Sequence, residues 1–92
     1  MFAITFDLLI AELNKSHPNR VPRAYDEIRR TLSRNGFAWK QGSVYINPDG
    51  GLVQLCTAIN DLKALLWFPA AVRELRAFRL ENNSDFTATL KS

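Results

Sequence analysis

Apolar and polar residues alternate at the start of the chain. Over residues 2–8, FAITFDL, the bulky apolar side chains of Phe2, Ile4 and Phe6 occupy every second position. A period of two residues predicts a β-strand with one buried face. Near its end this strand carries Asp7, a residue type that is depleted in strands. The carboxylate therefore needs an explanation, in structure or in function.

Two later segments place apolar residues at the spacing of a helix. The first runs from about Pro22, which favours the first turn of a helix, to a stop signal at Asn35 and Gly36. The apolar positions of the second are Leu52, Leu55, Cys56, Ile59, Leu62, Leu65 and Leu66. We predict two amphipathic helices that bury one face each. The polar, proline-containing residues 13–22 predict a loop before the first helix.

Two further regions have the composition of strands. Residues 36–47, GFAWKQGSVYIN, carry aromatic and β-branched residues on both sides of Gly42, which predicts a β-hairpin. Residues 67–81, WFPAAVRELRAFRLE, fit a helix and a strand equally well. We predict a short turn or helical piece around Pro69 and a strand from about residue 74 to 81, because that strand completes the sheet.

The resulting order, βαββαβ, predicts an α+β fold. This order is typical of the ferredoxin-like sandwich, in which one antiparallel sheet carries both helices on one face. The length of residues 1–92 suits a single domain. In this topology the first and third strands are adjacent and antiparallel, so Asp7 and Ser43 are expected to be neighbours.

Pleating of these two strands predicts which side chains face the helices. On the helix side we expect Phe2, Ile4, Phe6, Val44 and Ile46. On the open side we expect Thr5, Asp7, Ser43 and Tyr45. A sheet face without helices is wet or covered by another chain. The sequence therefore also predicts a homodimer, built by packing two sheets together or by extending one of them.

Composition and charge narrow the class of protein. The chain is 47% hydrophobic, has a single cysteine and carries a net charge of +3, with the whole excess in residues 1–46. One cysteine cannot form an internal disulfide, and no apolar run approaches the roughly 18 residues that span a bilayer. These features predict a cytoplasmic protein without a membrane partner. The basic first half favours an anionic partner.

Three segments carry a resemblance to a known family: FAITFDL at residues 2–8, GFAWKQGSVYIN at 36–47 and WFPAAVRELRAFRLENNSDFT at 67–87. They resemble the virulence-associated protein D (VapD) family, and the likeness runs over nearly the whole chain. The resemblance implies a small dimeric ferredoxin-fold endoribonuclease, related to the small CRISPR-associated nuclease subunit. It also implies that the protein is the toxin of a toxin–antitoxin module, with RNA as its substrate and a cognate antitoxin protein as a partner.

The resemblance points to Asp7 and Ser43 as the catalytic residues. The family's first-strand aspartate matches Asp7, and its polar turn before the third strand matches Gly42 and Ser43. RNA is cut when a base removes a proton from a 2′-hydroxyl or a water while the charge on the phosphorane is stabilised. Asp7 is either that base, strengthened by repulsion from a second Asp7 across a dimer axis, or a ligand for Mg²⁺. Ser43 holds the scissile phosphate or orients the attacking group.

Four other residues are candidates for RNA binding. Gln41 can read a base edge, and Tyr45 can donate a hydrogen bond or stack on a base. Arg76 belongs to the predicted last strand, and Lys40 adds a second cation. We assign no metal-binding residues. His17 is the only histidine, which excludes a two-histidine acid–base mechanism within one chain and a histidine-rich metal site.

Two alternatives to an enzyme use the same fold. One is a non-catalytic nucleic-acid-binding subunit, which would bind RNA without cutting it and lose affinity as salt increases. The other is a protein-interaction module that binds its partner through the open sheet and has no affinity for RNA. Labelled RNA incubated with the wild type and with Asp7→Asn separates these alternatives from a ribonuclease.

Overall fold

The computed structural model describes residues 1–16 and 21–80. Its elements are, in chain order, β1 (Phe2–Leu8), α1 (Ile10–Ser16), α2 (Val21–Arg34), β2 (Ala38–Gln41), β3 (Val44–Asn47), α3 (Leu52–Ala64), α4 (Phe68–Ala71) and β4 (Val72–Arg79). The predicted order βαββαβ is confirmed, with α2 and α3 as its two long helices. The helices α1 and α4 are short additions to it.

The sheet has the ferredoxin-like topology that the sequence predicts. Its strand order is β2-β3-β1-β4, and the three pairings β2–β3, β3–β1 and β1–β4 are all antiparallel. The central strand β1 therefore joins the hairpin on one side to β4 on the other. Both β2 and β4 are edge strands within the described part of the chain.

The core lies between one face of the sheet and the helices α2 and α3. Helix α2 contributes the fully buried residues Ala24, Ile28 and Leu32, whose spacing of four places them on one helix face. Gly36 ends the helix with a φ of +83°, as the predicted stop signal requires. Helix α3 buries Leu55, Ala58 and Leu62.

The stretch around Pro69 resolves into α4 followed directly by β4. Pro69 lies in the first turn of α4, where its missing N–H is tolerated. The predicted short helical piece is thus confirmed, and the strand begins at Val72, two residues earlier than predicted. The predicted end of that strand, Glu81, lies outside the described residues.

The loop predicted over residues 13–22 is wrong in its first part. Residues 10–16 form α1, which is anchored by the fully buried side chain of Leu13. The backbone N–H of Leu13 donates to the carbonyl of Leu9 over 2.9 Å. A single buried leucine carries too little periodic signal to predict a helix from polar neighbours. His17 lies outside the described residues.

The predicted orientation of β3 is also wrong. Tyr45 pairs directly with Ile4, so both side chains lie on the helix side, and Tyr45 is only 2% exposed. Its ring stacks on Phe6 with 5.9 Å between centroids. Val44 and Ile46 consequently occupy the open face. A shift of one residue in register exchanges the two faces of a strand. Because residues 44–46 are all apolar or aromatic, the sequence pattern did not determine which of them face the helices.

The apolar stripe predicted for the second helix is only partly buried. Cys56 is exposed, and so are Leu52 and Leu66. Helix α3 packs against the core through the face that carries Leu55 and Ala58. Cys56 follows Leu55 in sequence, so it is rotated by about 100° around the helix axis and lies outside that face. The prediction of Cys56 as a core residue is therefore wrong.

A buried asparagine fixes the connection between β3 and α3. The side-chain Oδ1 of Asn47 accepts a hydrogen bond from the backbone N–H of Gly50 over 2.8 Å. Its Nδ2 donates to the backbone carbonyl of Asn35 over 3.0 Å. Asn47 is 5% exposed, so both bonds are largely shielded from water. This side chain links the end of α2 to the turn that begins α3.

Candidate active site

The open face of the sheet places two carboxylates side by side. Asp7 on β1 pairs directly with Glu74 on β4, and Thr5 pairs with Arg76 two residues away. Directly opposed residues of an antiparallel pair lie on the same face. Asp7 is exposed and, with Thr5, Phe6, Glu74 and Arg76, lines a shallow groove between the two strands.

Two arginines complete this cluster. The Arg76 Nε donates to Glu74 Oε1 over 2.5 Å. The Arg73 Nη1 lies 3.7 Å from Asp7 Oδ2. All four side chains are more than half exposed, so these ion pairs are solvated and contribute little to stability. They do place two guanidinium groups within reach of a ligand that enters the groove.

A β-bulge brings Arg73 to this face. Asp7 pairs with Glu74 but the next residue, Leu8, pairs with Val72, so Arg73 is an extra residue in β4. A bulge changes the direction in which a side chain points, and here it allows two successive residues to contribute to one groove. Bulges occur frequently beside active sites.

Ser43 lies in the hairpin turn next to β3, at the same end of the sheet as Asp7. The pairing of β1 with β3 ends at Thr5 and Val44, and Ser43 precedes Val44 in the two-residue turn that closes the hairpin. Gly42, the other residue of that turn, has a φ of +50° that favours glycine. The pairing thus places the turn that carries Ser43 and the end of β1 that carries Asp7 at the same end of the sheet, and contact between the two side chains stays a prediction.

The RNA-binding candidates separate into three groups. Arg76 is in the groove, as its predicted strand alternation required. Gln41 and Lys40 are exposed at the edge of the sheet on β2, and Gln41 pairs with Val44. Tyr45 is buried against Phe6 in the core. The predicted position of Tyr45 on the open face is wrong, and we do not include it in a surface that contacts RNA.

Two site residues were not predicted from the sequence. Glu74 has the same alternation as Arg76 in β4, so its face could have been predicted, but its partner depends on the register between β1 and β4. Arg73 reaches the same groove only because of the bulge. Sequence alternation alone would place Arg73 on the opposite face.

The donor set also suits a magnesium ion. Mg²⁺ binds through one or two carboxylates and completes its shell with water and substrate phosphate. Asp7 and Glu74 are exposed and adjacent, so they satisfy that minimum. Within residues 1–16 and 21–80, no group of three or more His, Cys, Asp or Glu side chains is placed to hold a metal.

Among the described helices, none has the length and apolar character needed to cross a lipid bilayer.

Curated relatives match the chain from end to end. No family model matches it. It is 48% identical to the "Endoribonuclease VapD homolog" of Neisseria gonorrhoeae, with 100% of both chains covered. It is 47% identical to "Endoribonuclease VapD" of Dichelobacter nodosus, over 99% of this chain and 98% of the relative. It is 45% identical to "Endoribonuclease VapD" of Helicobacter pylori, with 100% of both chains covered. The chain therefore belongs to the VapD family, the family of these three endoribonucleases.

Proposed function

We propose that this protein is an endoribonuclease that cleaves single-stranded RNA in the groove between β1 and β4. The observation that carries the proposal is the exposed Asp7 carboxylate, which lies opposite Glu74 and within 4 Å of a guanidinium group. The full-length relatives named as endoribonucleases support the same activity. Cleavage of a phosphodiester bond uses a base and nearby positive charge together, and this groove has both.

Asp7 acts as the base in this proposal. It accepts the proton of the 2′-hydroxyl or water that attacks phosphorus, the new P–O bond forms, and the bond from phosphorus to the 5′-oxygen breaks. The departing 5′-oxygen takes a proton from solvent, so the proton count balances. An exposed carboxylate at the mouth of a shallow groove is open to a chain substrate, which a closed pocket would exclude.

The two arginines stabilise the negative charge that develops on the phosphorane. A guanidinium group has five N–H donors in a fixed plane, so it can retain a carboxylate partner while it binds a phosphate oxygen. Glu74 acts as a positioning residue, since its carboxylate accepts the bond from Arg76 Nε over 2.5 Å. Ser43, at the same end of the sheet, supplies a hydroxyl to the scissile phosphate.

Magnesium is the alternative source of positive charge. Asp7 and Glu74 would hold the ion, which would neutralise charge on the phosphate. Because the arginines already supply two positive charges beside the carboxylates, we expect cleavage to persist in EDTA. Loss of cleavage in EDTA, restored by added Mg²⁺, would assign the charge neutralisation to the ion.

The proposal includes a homodimer formed through the open face. Apolar side chains of Val44, Ile46 and Phe78 lie on that face beside the charged groove, and Phe78 is 43% exposed. Packing two such faces would remove this apolar surface from water and bring two copies of Asp7 together. The resemblance to the family supports a cytoplasmic toxin, and an antitoxin protein that blocks the access of RNA to the groove would silence it.

RNA cleavage by the variant Asp7→Asn tests the proposed base. The matched control is Asp26→Asn, which removes the same charge from an exposed aspartate that pairs with Arg30 on α2. We expect Asp7→Asn to slow cleavage of labelled RNA by at least about 100-fold and Asp26→Asn to stay within about twofold of wild type. Both variants should unfold at the wild-type temperature.

Three outcomes would contradict this assignment. Cleavage by Asp7→Asn at the wild-type rate would remove Asp7 from the mechanism. RNA binding without cleavage by the wild-type protein, with or without added Mg²⁺, would favour a non-catalytic RNA-binding subunit. A protein that neither binds nor cuts RNA at low salt would favour a protein-interaction module.

A further inference from the structure

Trp39 is an exposed aromatic side chain on an edge strand. It lies on β2, all four residues of which are exposed, and 48% of its surface is accessible. The other tryptophan, Trp67, is 9% exposed and donates its indole N–H to Glu27. A large aromatic ring that folding leaves half in water is available for a ligand.

The indole of Trp39 is held in place at one edge and one face. Its Nε1 donates to the backbone carbonyl of Gly42 over 2.8 Å, which ties it to the hairpin turn. The guanidinium carbon of Arg29, on α2, lies 4.5 Å from the ring centroid. A ring fixed in this way loses little conformational freedom when a flat ligand stacks on its remaining surface.

Positive charge lies against one face of this ring. Arg29 covers it from the helix side, and Lys40 follows it in β2. Both acidic residues of α2 have other partners: Asp26 pairs with Arg30, and Glu27 accepts the indole N–H of Trp67. An aromatic ring with a cation held beside it has the chemistry of a site for one nucleotide: the base stacks and the cation meets a phosphate.

We propose that Trp39 is a stacking platform for a base of single-stranded RNA. The proposal rests on the ribonuclease function, because RNA is the ligand. The strand β2 lies two strands from β1, a distance of about 10 Å across the sheet. Trp39 pairs with Tyr45 and so lies on the helix side of that edge, whereas Asp7 lies on the open face. RNA with its scissile phosphate at Asp7 would therefore reach Trp39 by passing around the edge of the sheet at β2. Stacking tolerates any base, so the platform would strengthen binding without selecting a sequence.

RNA affinity of Trp39→Ala and Trp39→Phe tests the platform. The probe is a short fluorescein-labelled 2′-O-methyl oligouridine, checked on a gel to remain intact, and the readout is fluorescence anisotropy. We expect Trp39→Ala to weaken binding by about 10-fold, the loss typical of one stacked base, and Trp39→Phe to weaken it by about threefold or less. Circular dichroism and thermal unfolding establish that both variants are folded.

An abasic oligonucleotide of the same length separates stacking from charge. Trp39→Ala should bind this backbone as tightly as the wild type does, because no base is present to stack. Acrylamide quenching of tryptophan fluorescence should fall when oligouridine binds the wild type and stay unchanged in Trp39→Phe. Wild-type affinity of Trp39→Ala for oligouridine, or an equal loss of affinity for the abasic backbone, would overturn the proposal.

Failure of the platform is distinct from failure of the ribonuclease function. If Asp7→Asn loses cleavage and Trp39→Ala keeps full affinity, only the platform is wrong. If Trp39→Ala loses affinity for the base-containing probe while Asp7→Asn cleaves normally, the platform stands and the catalytic role of Asp7 is wrong.

Discussion

At the scale of single residues, the position of Asp7 explains a carboxylate in an otherwise apolar strand. Its neighbours Phe6 and Leu8 point into the core, whereas Asp7 points to the open face. Within one chain the charge is therefore exposed to water, and folding the chain has no desolvation cost to offset at this position. Because folding does not require a charged residue at this position, the Asp7 carboxylate is available to act on a substrate.

Asn47 shows how one side chain sets the geometry of a turn. A Cβ atom added at Gly50 would lie 2.0 Å from Asn47 Nδ2, so this glycine is required by close approach. We predict that Gly50→Ala displaces the amide, disrupts its bonds to residues 35 and 50, and lowers the free energy of unfolding by about 2 kcal/mol. Thermal unfolding should then occur about 10 °C lower than in wild type.

The adjacent glycine provides the matched control. A Cβ at Gly51 would meet only Gln54 Oε1, at the ordinary contact distance of 3.6 Å. We expect Gly51→Ala to cost less than about 1 kcal/mol, the effect of alanine in place of glycine at a helix N-cap. Equal unfolding temperatures for Gly50→Ala and the wild type would contradict the role given to Asn47.

At the scale of elements, the periodicity of apolar residues predicted those features of a helix or strand that depend only on its own sequence. The helix α2 has a strong amphipathic pattern and a glycine that can adopt a positive φ, so both its face and its end were predictable. The strand β4 was predicted only because the sheet needed it, since its own pattern also fits a helix. Short α1 was missed because, among its residues whose burial is described, only Leu13 is buried, which gives no helical periodicity.

Features that depend on pairing between distant elements could not be predicted in this way. The register of β1 with β3 decides that Tyr45 is buried on the helix side and that Val44 lies partly buried on the open face, and an apolar residue at either position is compatible with the pattern. The bulge in β4 decides that Arg73 joins the site. Asp7 and Arg76 were predictable because alternation within their own strands fixes their face.

At the scale of the whole molecule, the open face is expected to join two copies of the chain. We predict that Phe78→Glu shifts the molar mass measured by light scattering from the dimer to the 10.5 kDa monomer, because a charge would be buried at the contact. RNA cleavage should fall with it, since the proposed site brings two Asp7 side chains together.

The control for this prediction is Leu66→Glu. Leu66 is 98% exposed and lies in the connection between α3 and α4, away from the strands that form the open face. We expect this variant to remain dimeric and active. A wild-type protein with the mass of a monomer, or a Phe78→Glu variant that stays dimeric, would contradict assembly through the open face.

A double-mutant cycle on RNA cleavage tests most directly whether β1 and β4 form one catalytic site. Single-turnover rates would be measured for Asp7→Asn, Arg76→Gln and the double variant, with Arg79→Gln, also exposed on β4, as the control. We predict a loss of about 100-fold for each single change, a loss in the double variant well below their product, and a near-wild-type rate for Arg79→Gln. A wild-type rate for Arg76→Gln, or losses that multiply, would contradict a shared site.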